Sequence, residues 1–222
     1  AAVNALSSRG EFYTAYTPYQ PEASQGTLQA AFEYQTAICR LTDMDVANAS
    51  LFDGGSAMIE GVMMALRHTR RNKVIVDEGA SPIYRKMLKT YTNNLSVDYE
   101  EISIGKNGVT NRDLFFDKLD DSVGAVVFQN PNFFGCLDDF TDLIEKTHEI
   151  GALVVMSVYP ISLSFIQTPG AMGVDIVTGE GQSLGLPLNF GGPYLGFFAA
   201  KKELVRKMPG RIVGETEDPA AT

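Results

Sequence analysis

Three segments of the sequence combine residue types that could bind an anion or a cofactor. The first, Asp53-Gly54-Gly55-Ser56-Ala57, opens a predicted helix. Free backbone N–H groups at a helix start, with the Ser56 hydroxyl beside them, suit a phosphate or another anion. The same pattern is also typical of a helix that follows a tight turn and is capped by its own side chain. The residues alone leave both interpretations open.

The second segment, Gln129-Asn130-Pro131-Asn132-Phe133-Phe134-Gly135, directly follows an apolar run that predicts a buried strand. Loops at the carboxyl ends of such strands are where α/β proteins bind ligands. Asn130 and Asn132 could therefore contact a ligand. Alternatively, their amides could bond the backbone of a turn that Pro131 fixes.

The third segment, from Gly179 to Pro193, is rich in glycine and proline and follows another apolar run. This composition indicates that the backbone either approaches something closely or adopts conformations that only glycine tolerates well. A plain surface loop is the weaker interpretation of the segment.

An N-terminal arm, Tyr13–Glu22, is predicted to be extended because Pro18 and Pro21 oppose helix formation. Tyrosine-rich extended segments are enriched at interfaces, since each ring offers contact area and a polar tip. The arm could therefore contact a partner through Tyr16 and Tyr19. Packing against its own domain is the alternative.

Familiar catalytic sets are missing from the sequence. His68 and His148 lie on predicted helices next to charged residues, and we expect both to be solvated helix-end residues rather than ligands. The chain has no Walker loop, no GxGxxG after its first strand and no spacing typical of metal ligands.

Composition narrows the classes of partner. The 222 residues carry a net charge of −9 and a pI of about 4.7, which argues against nucleic acid or an anionic membrane as partner. No apolar run reaches the roughly 18 residues that a membrane span needs. Cys39 and Cys136 form neither a disulfide framework nor a CxxC motif. We therefore expect a cytoplasmic protein, and the sequence assigns neither cysteine a role.

Predicted strands and helices alternate along the chain, which is typical of βαβ units and of a doubly wound α/β fold with its ligand site at the carboxyl ends of the strands. Short continuous apolar runs such as Ala125–Gln129 predict strands buried on both faces. The other predicted strands are Val74–Asp77, Val97–Ile102, Leu153–Ser157, Asp175–Thr178 and Leu195–Ala200. The predicted helices are Gly26–Leu41, Asp53–Leu66, Ser81–Asn93, Arg112–Leu119, Asp138–Ile150 and Lys202–Lys207, with Asp45–Ser50 as a connector.

We divide the chain into a helix end and arm over residues 1–25, a large domain over residues 26–214 and a polar tail over residues 215–222. The chain begins without a methionine or a helix cap and stops in a segment without periodicity. We expect it to be a fragment or a processed product.

Several long motifs resemble the glycine cleavage P-protein family, in particular the first subunit of split glycine decarboxylase. They are Phe12–Glu22 followed by Ala23-Ser24-Gln25-Gly26, Gln129–Phe133, Glu180–Pro187 and Phe190–Pro193. The resemblance runs from about Arg9 to Thr216. It implies a large domain of the fold-type-I PLP-dependent transferase type, with a mostly parallel seven-stranded sheet and helices on both faces. It also implies a smaller C-terminal domain, which we expect to be missing here.

In such a fold the cofactor needs a lysine to form an imine and an aspartate beside its pyridine nitrogen. Aligned with active relatives, this chain offers Gln182 at the lysine position and Ser157 at the aspartate position. An amide cannot form an imine and a serine cannot stabilise a pyridinium charge. We therefore expect no catalytic residue in this chain and no covalently bound PLP. Gly54, Gly55, Ser56, Asn130 and Asn132 would be a vestigial phosphate or cofactor region.

The resemblance implies a structural or regulatory subunit of glycine decarboxylase, an oxidoreductase. The second subunit would carry PLP in an α2β2 assembly and decarboxylate glycine, and the lipoyl group of the carrier H-protein would take up the aminomethyl group. Tyr16, Tyr19, Gln20 and Glu22 of the arm are the expected contacts with the partner's active site. A large domain without its partner should also expose an apolar patch.

Two other classes of protein stay open. A stand-alone PLP enzyme of the same fold type predicts an aldimine lysine. A non-enzymatic anion- or nucleotide-binding α/β module predicts tight phosphate binding at the helix that starts near Asp53.

Overall fold

The computed structural model describes residues 2–14, 16–188 and 190–217 of the chain. Its centre is a seven-stranded sheet with the strand order β1-β7-β6-β5-β4-β2-β3. The strands are β1 (Val46–Ala47), β2 (Lys73–Asp77), β3 (Asp98–Ile102), β4 (Val123–Asn130), β5 (Leu153–Val158), β6 (Ile176–Glu180) and β7 (Gly196–Ala200). The five strands from β3 to β6 are parallel, whereas β7 is antiparallel to both β6 and β1.

Eight α-helices surround or precede this sheet in the described residues. They are α1 (Ala2–Ser7), α2 (Gly10–Tyr13), α3 (Gln25–Thr42), α4 (Gly54–Thr69), α5 (Pro82–Thr92), α6 (Arg112–Lys118), α7 (Thr141–Glu149) and α8 (Pro169–Met172). Short 3-10 helices cover Pro160–Ser164, Gln182–Leu184 and Lys202–Lys207. The α/β class and the seven-stranded sheet are confirmed. Each of the six strands predicted from the apolar runs is present, and β1 is the seventh.

Helices cover both faces of the sheet. On one face, Met58, Val62 and Ala65 of α4 pack in a buried cluster with Val127 and Val155 of the sheet. On the other face, a second cluster joins α3, α6 and α7 to the strands through Ile38, Phe115, Leu143, Phe128 and Met156. The central strands are therefore buried on both sides, as their continuous apolar runs predict. Because helices cover both faces, a ligand site is expected at the ends of the strands, and in a sheet of this topology it forms at the carboxyl ends.

Three parts of the fold differ from the sequence predictions. The connector Asp45–Ser50 contains the two-residue strand β1, which adds an edge to the sheet next to β7. The segment Lys202–Lys207 forms a 3-10 helix. The arm Tyr13–Glu22 begins in the last residue of α2, and its residues 16–19 have no regular structure before a turn near Gln20.

His148 differs from its prediction as a solvated helix-end residue. Its Nε2 atom lies 2.8 Å from Asp175 Oδ2, while Lys201 Nζ lies 2.5 Å from Asp175 Oδ1. Asp175 is buried and also accepts a hydrogen bond from the N–H of Val154. The bonds to His148 and Lys201 help to keep the pKa of Asp175 low despite its burial. The cluster ties the end of α7 to β5 and β7 and is structural.

No helix in the described ranges is both long enough and apolar enough to cross a membrane.

Asp77, at the end of β2, should make stability depend on pH. It is 2% exposed, and burial raises its pKa from 3.8 to about 6, although hydrogen bonds from the Gly79 N–H and the Thr110 hydroxyl favour the charged form. Because the pKa is higher in the folded state, folding is most favourable below about pH 4, where Asp77 is protonated. The free energy of unfolding decreases as the pH rises above about 4, and this contribution is lost once the pH has passed through about 6. Asp77→Asn should therefore be more stable than the wild type by roughly 3 kcal/mol at pH 8 and by about 0.5 kcal/mol at pH 4.

Urea unfolding of both proteins at the two pH values measures this difference. Asp121→Asn, a change at an exposed acid, is the matched control and should show no such pH dependence. An advantage of Asp77→Asn that is equal at pH 4 and pH 8 would contradict the assignment.

Candidate functional site

A cavity of about 520 Å3 opens at the carboxyl ends of the parallel strands, where an α/β fold of this topology binds its ligands. Its polar lining comes from several elements: Asp53, Ser81, Gln129, Ser157 and Glu180. Tyr84, Tyr159 and Tyr194 add aromatic walls. The cavity therefore brings together parts of all three sequence segments that could bind an anion or cofactor.

The helix start at Gly54 is already capped by the chain itself. Asp53 Oδ1 accepts a hydrogen bond of 2.6 Å from the N–H of Ser56. The N–H of Gly54 donates to Glu180 Oε2 at 3.0 Å. The sequence left two alternatives for this helix start, a phosphate site and a capped helix. In the structure the helix is capped, and two carboxylates bond its N–H groups.

Close packing accounts for the two glycines at this helix start. A Cβ atom on Gly54 would lie 2.9 Å from the backbone nitrogen of Glu180, and one on Gly55 would lie 2.8 Å from Met87 Sδ. Both distances are below van der Waals contact. Gly54 and Gly55 therefore let α4 approach β6 and α5, and their presence needs no bound ligand.

Ser157 and Gln182 lie in different surroundings. Ser157 is buried at the end of β5, opposite Gln129 of β4 and Thr178 of β6, and it lines the cavity. The Gln182 side chain instead donates from Nε2 to the carbonyl of Pro187 at 3.1 Å. The structure thus brings the Ser157 position to the cavity, whereas the Gln182 amide bonds its own loop.

The two asparagines of the second segment bond to the backbone. Asn130 donates to the carbonyl of Asp138. Asn132 donates to the carbonyl of Gly108 and accepts from the N–H groups of Phe134 and Cys136. Neither residue is among those that line the cavity. Gln129 does line it, and its Oε1 accepts from the N–H of Ser81.

The glycine-rich segment shows both features that its composition predicts, a close approach of the backbone to a neighbour and φ angles that favour glycine. A Cβ atom on Gly179 would lie 2.4 Å from the carbonyl oxygen of Val158, so β5 and β6 can approach only with glycine there. Gly185 and Gly191 have φ angles of +147° and +106°, which other residues rarely adopt. The backbone at Gly179 therefore approaches another part of the protein, and this glycine needs no bound ligand to explain it.

The electrostatics of the cavity are negative. Burial, then the charges of Glu180 and Asp53, raise the pKa of Tyr84 to about 12. Among the described residues, no lysine, arginine or histidine lines the cavity. A PLP molecule needs an imine lysine and a partner for its phosphate charge, so the residues present do not fit this cofactor. In the described ranges, no group of histidine, cysteine and acidic side chains is arranged to hold a metal ion.

The arm tyrosines do not pack against the chain. Tyr16 is 91% exposed and Tyr19 is 78% exposed, and Gln20 and Glu22 are exposed as well. The alternative of packing against its own domain therefore does not hold for these side chains. Cys39 and Cys136 are both free thiols.

A set of exposed apolar side chains lies in the loops at the carboxyl edge of the sheet. The sequence predicted an exposed apolar patch but did not locate it. We call this set the apolar edge. Its members are Phe52, Phe133, Phe134, Leu137, Tyr159, Phe165, Leu188 and Phe190. The consecutive phenylalanines of the second segment were the available signal, since a loop exposed to water has no need for them. Exposed apolar side chains that share one edge of a fold mark a candidate interface.

Comparisons with known proteins agree with the family resemblance. The profile of the family described as "Glycine cleavage system P-protein" matches residues 2–222. A protein of Solidesulfovibrio magneticus named "Probable glycine dehydrogenase (decarboxylating) subunit 1" is 59% identical over 220 residues, which are 99% of this chain and 49% of the relative. A protein of the same name from Geotalea uraniireducens is 56% identical over 218 residues, or 98% of this chain and 49% of the relative. This chain therefore spans about half the length of these relatives.

The solved structures place the fold in the same group. The crystal structure of a glycine decarboxylase (P-protein) of the glycine cleavage system, in inhibitor-bound form, matches with a TM-score of 0.93 and 50% identity, over 98% of this chain and 49% of that one. A cysteine desulfurase of Escherichia coli matches with a TM-score of 0.67 and 15% identity over 93% of this chain and 51% of that one, which shows a shared fold alone. The fold-type-I architecture is thus confirmed, and the chain belongs to the glycine cleavage system P-protein family.

Proposed function

We propose that this chain is the large domain of a PLP-free first subunit of glycine decarboxylase. The 59% identity to a glycine dehydrogenase (decarboxylating) subunit 1 carries the proposal. The cavity supports it, because Glu180 and Asp53 bond the backbone N–H groups that a phosphate would need. In this proposal Gln182 and Ser157 stand at the positions of the two cofactor-binding residues, and Ser157 lines the cavity.

The partner in this proposal is the second, PLP-bearing subunit, in an α2β2 assembly. That subunit would hold PLP, which supplies the electron sink for decarboxylation of glycine, and the lipoyl group of the H-protein would accept the aminomethyl group. This chain would contribute an interface and part of the wall of the partner's active site. The apolar edge supports such an interface, because its aromatic rings are the residue types that anchor interfaces.

The proposed location of the assembly is the cytoplasm. The two free thiols, Cys39 and Cys136, support it, since unpaired cysteines are typical of a reducing compartment.

Reconstitution tests the proposal directly. The chain is mixed with the second subunit of a close relative, and exchange of labelled bicarbonate into glycine is measured with H-protein present. We expect a stable complex and exchange activity that neither component shows alone. Borohydride reduction of the mixture in the presence of PLP should label the second subunit and leave this chain unlabelled.

Two results would contradict the proposal. One is a stoichiometric reduced PLP adduct on this chain, which would favour the stand-alone PLP enzyme. The other is an absence of any complex with the second subunit, together with tight phosphate binding by the isolated chain, which would favour the anion-binding module.

A further inference from the structure

Glu180 connects three separate parts of the site through backbone hydrogen bonds. Its Oε2 atom accepts from the N–H of Gly54 at 3.0 Å, at the start of α4. Its Oε1 atom accepts from the N–H of Gln182 at 3.0 Å and from the N–H of Leu195 at 2.8 Å. One carboxylate thus satisfies three N–H donors from α4, from the loop after β6 and from the residue before β7.

Converging backbone N–H groups at a helix start form a site for an anion, because their partial positive charges point to one place. In this chain a side-chain carboxylate, that of Glu180, takes the place of such an anion. The oxygens of Glu180 occupy the donors that an external phosphate would use, and the Asp53 carboxylate bonds the N–H of Ser56 next to them. A phosphate that bonded the same groups would meet two negative charges at close range.

The same carboxylate closes the loop from Gly181 to Leu195. The N–H of Gly181 also donates to the carbonyl of Leu195 at 2.7 Å, so the two ends of the loop meet directly beside Glu180. Leu188, which is 82% exposed, and the fully exposed Phe190 lie within this loop. Holding the two ends of the loop together limits the space that these two members of the apolar edge can reach.

We propose that Glu180 is a built-in anion that replaces a cofactor phosphate at the start of α4 and positions the loop 181–195. The cavity then fails to fit PLP for a second reason besides the absence of a lysine from its lining among the described residues. The Glu180 carboxylate accepts the hydrogen bond from the Gly54 N–H, which an external phosphate at the start of α4 would need. The inference concerns this chain alone and does not depend on the activity of the assembly.

Chemical rescue distinguishes an anion site from ordinary packing. Glu180→Ala removes the γ-methylene and the carboxylate, which leaves the three N–H donors without their acceptor and makes room for a small carboxylate such as formate. We expect Tm to fall by roughly 5 to 10 °C. Sodium formate should restore at least half of this loss, whereas sodium chloride at the same ionic strength should not. Glu149→Ala, at an exposed glutamate paired with Lys146, is the matched control and should show no formate-specific shift.

A second variant keeps the test decisive if Glu180→Ala does not fold. Glu180→Gln fills the same space but places an amide N–H₂ against one of the donors. We expect a smaller fall in Tm, no response to formate and faster proteolysis within the loop 181–195. Equal shifts with formate and chloride for Glu180→Ala would overturn the inference, as would unchanged proteolysis of the loop in Glu180→Gln. A formate-specific rise in Tm of the wild type as large as that of Glu180→Ala would also overturn it.

Discussion

Placing two aspartates in the apolar edge, in the double variant Leu188→Asp and Phe190→Asp, should weaken binding of the second subunit by at least about 1,000-fold. Both side chains are exposed in the isolated chain, so the variant should fold with little change in Tm. In the complex each aspartate would be buried without a partner, which is a large cost at an interface core. Aromatic anchors commonly carry 2 kcal/mol or more of binding energy on their own. Isothermal titration or sedimentation of the mixed subunits measures the change.

The matched control places the same charges on another exposed apolar pair. Tyr91, near the end of α5, and Leu95, which precedes β3, are also solvent-exposed, but they lie towards the amino ends of the parallel strands. Tyr91→Asp with Leu95→Asp should leave the affinity within a few-fold of the wild type. If both double variants bind the second subunit as the wild type does, the apolar edge is not the interface.

Much of the fold could be predicted because its signals are local. Runs such as Val123–Phe128 are apolar without alternation, and a strand buried on both faces is the simplest structure that uses such a run. The starts of α4 and α6 carry residues that cap helices, Asp53 and Asn111, and both caps form. In contrast, β1 has two residues and gains its place from β7, which lies more than a hundred positions later. No pattern in two residues can predict such a pairing.

The site could be predicted only in part, since its contacts join distant positions. The sequence located the three segments at the edge of the sheet, and Ser157 does line the cavity. The role of Glu180 could not be predicted, because its bond to Gly54 connects residues 126 positions apart. Asn132 shows the converse case. It stands in a segment that suggests a ligand, but the nearby backbone uses its hydrogen-bonding capacity.

Tyr19→Phe and Glu22→Gln are expected to reduce turnover of the reconstituted enzyme by roughly 30- to 1,000-fold each, which corresponds to about 2 to 4 kcal/mol. We propose that side chains of the arm reach the partner's active site. Tyr16 and Tyr19 are free of their own domain, and Gln20 and Glu22 are exposed beside them. Rings from the arm would exclude water from the partner's pocket, and this strengthens the electrostatic effects on which decarboxylation depends. Glu22 or Gln20 would orient glycine or the lipoyl dithiol.

The effects on turnover and on stability separate this role from a structural one. Substitution of a tyrosine that only packs against its own domain would lower Tm. Tyr19 is 78% exposed, so removal of its hydroxyl in Tyr19→Phe should leave Tm unchanged. Glycine–bicarbonate exchange, the affinity for the second subunit and Tm are therefore measured together. Tyr91→Phe and Glu145→Gln, at exposed positions on α5 and α7, should match the wild type in all three. If Tyr19→Phe and Glu22→Gln also keep wild-type turnover and affinity, the arm does not contribute to the active site.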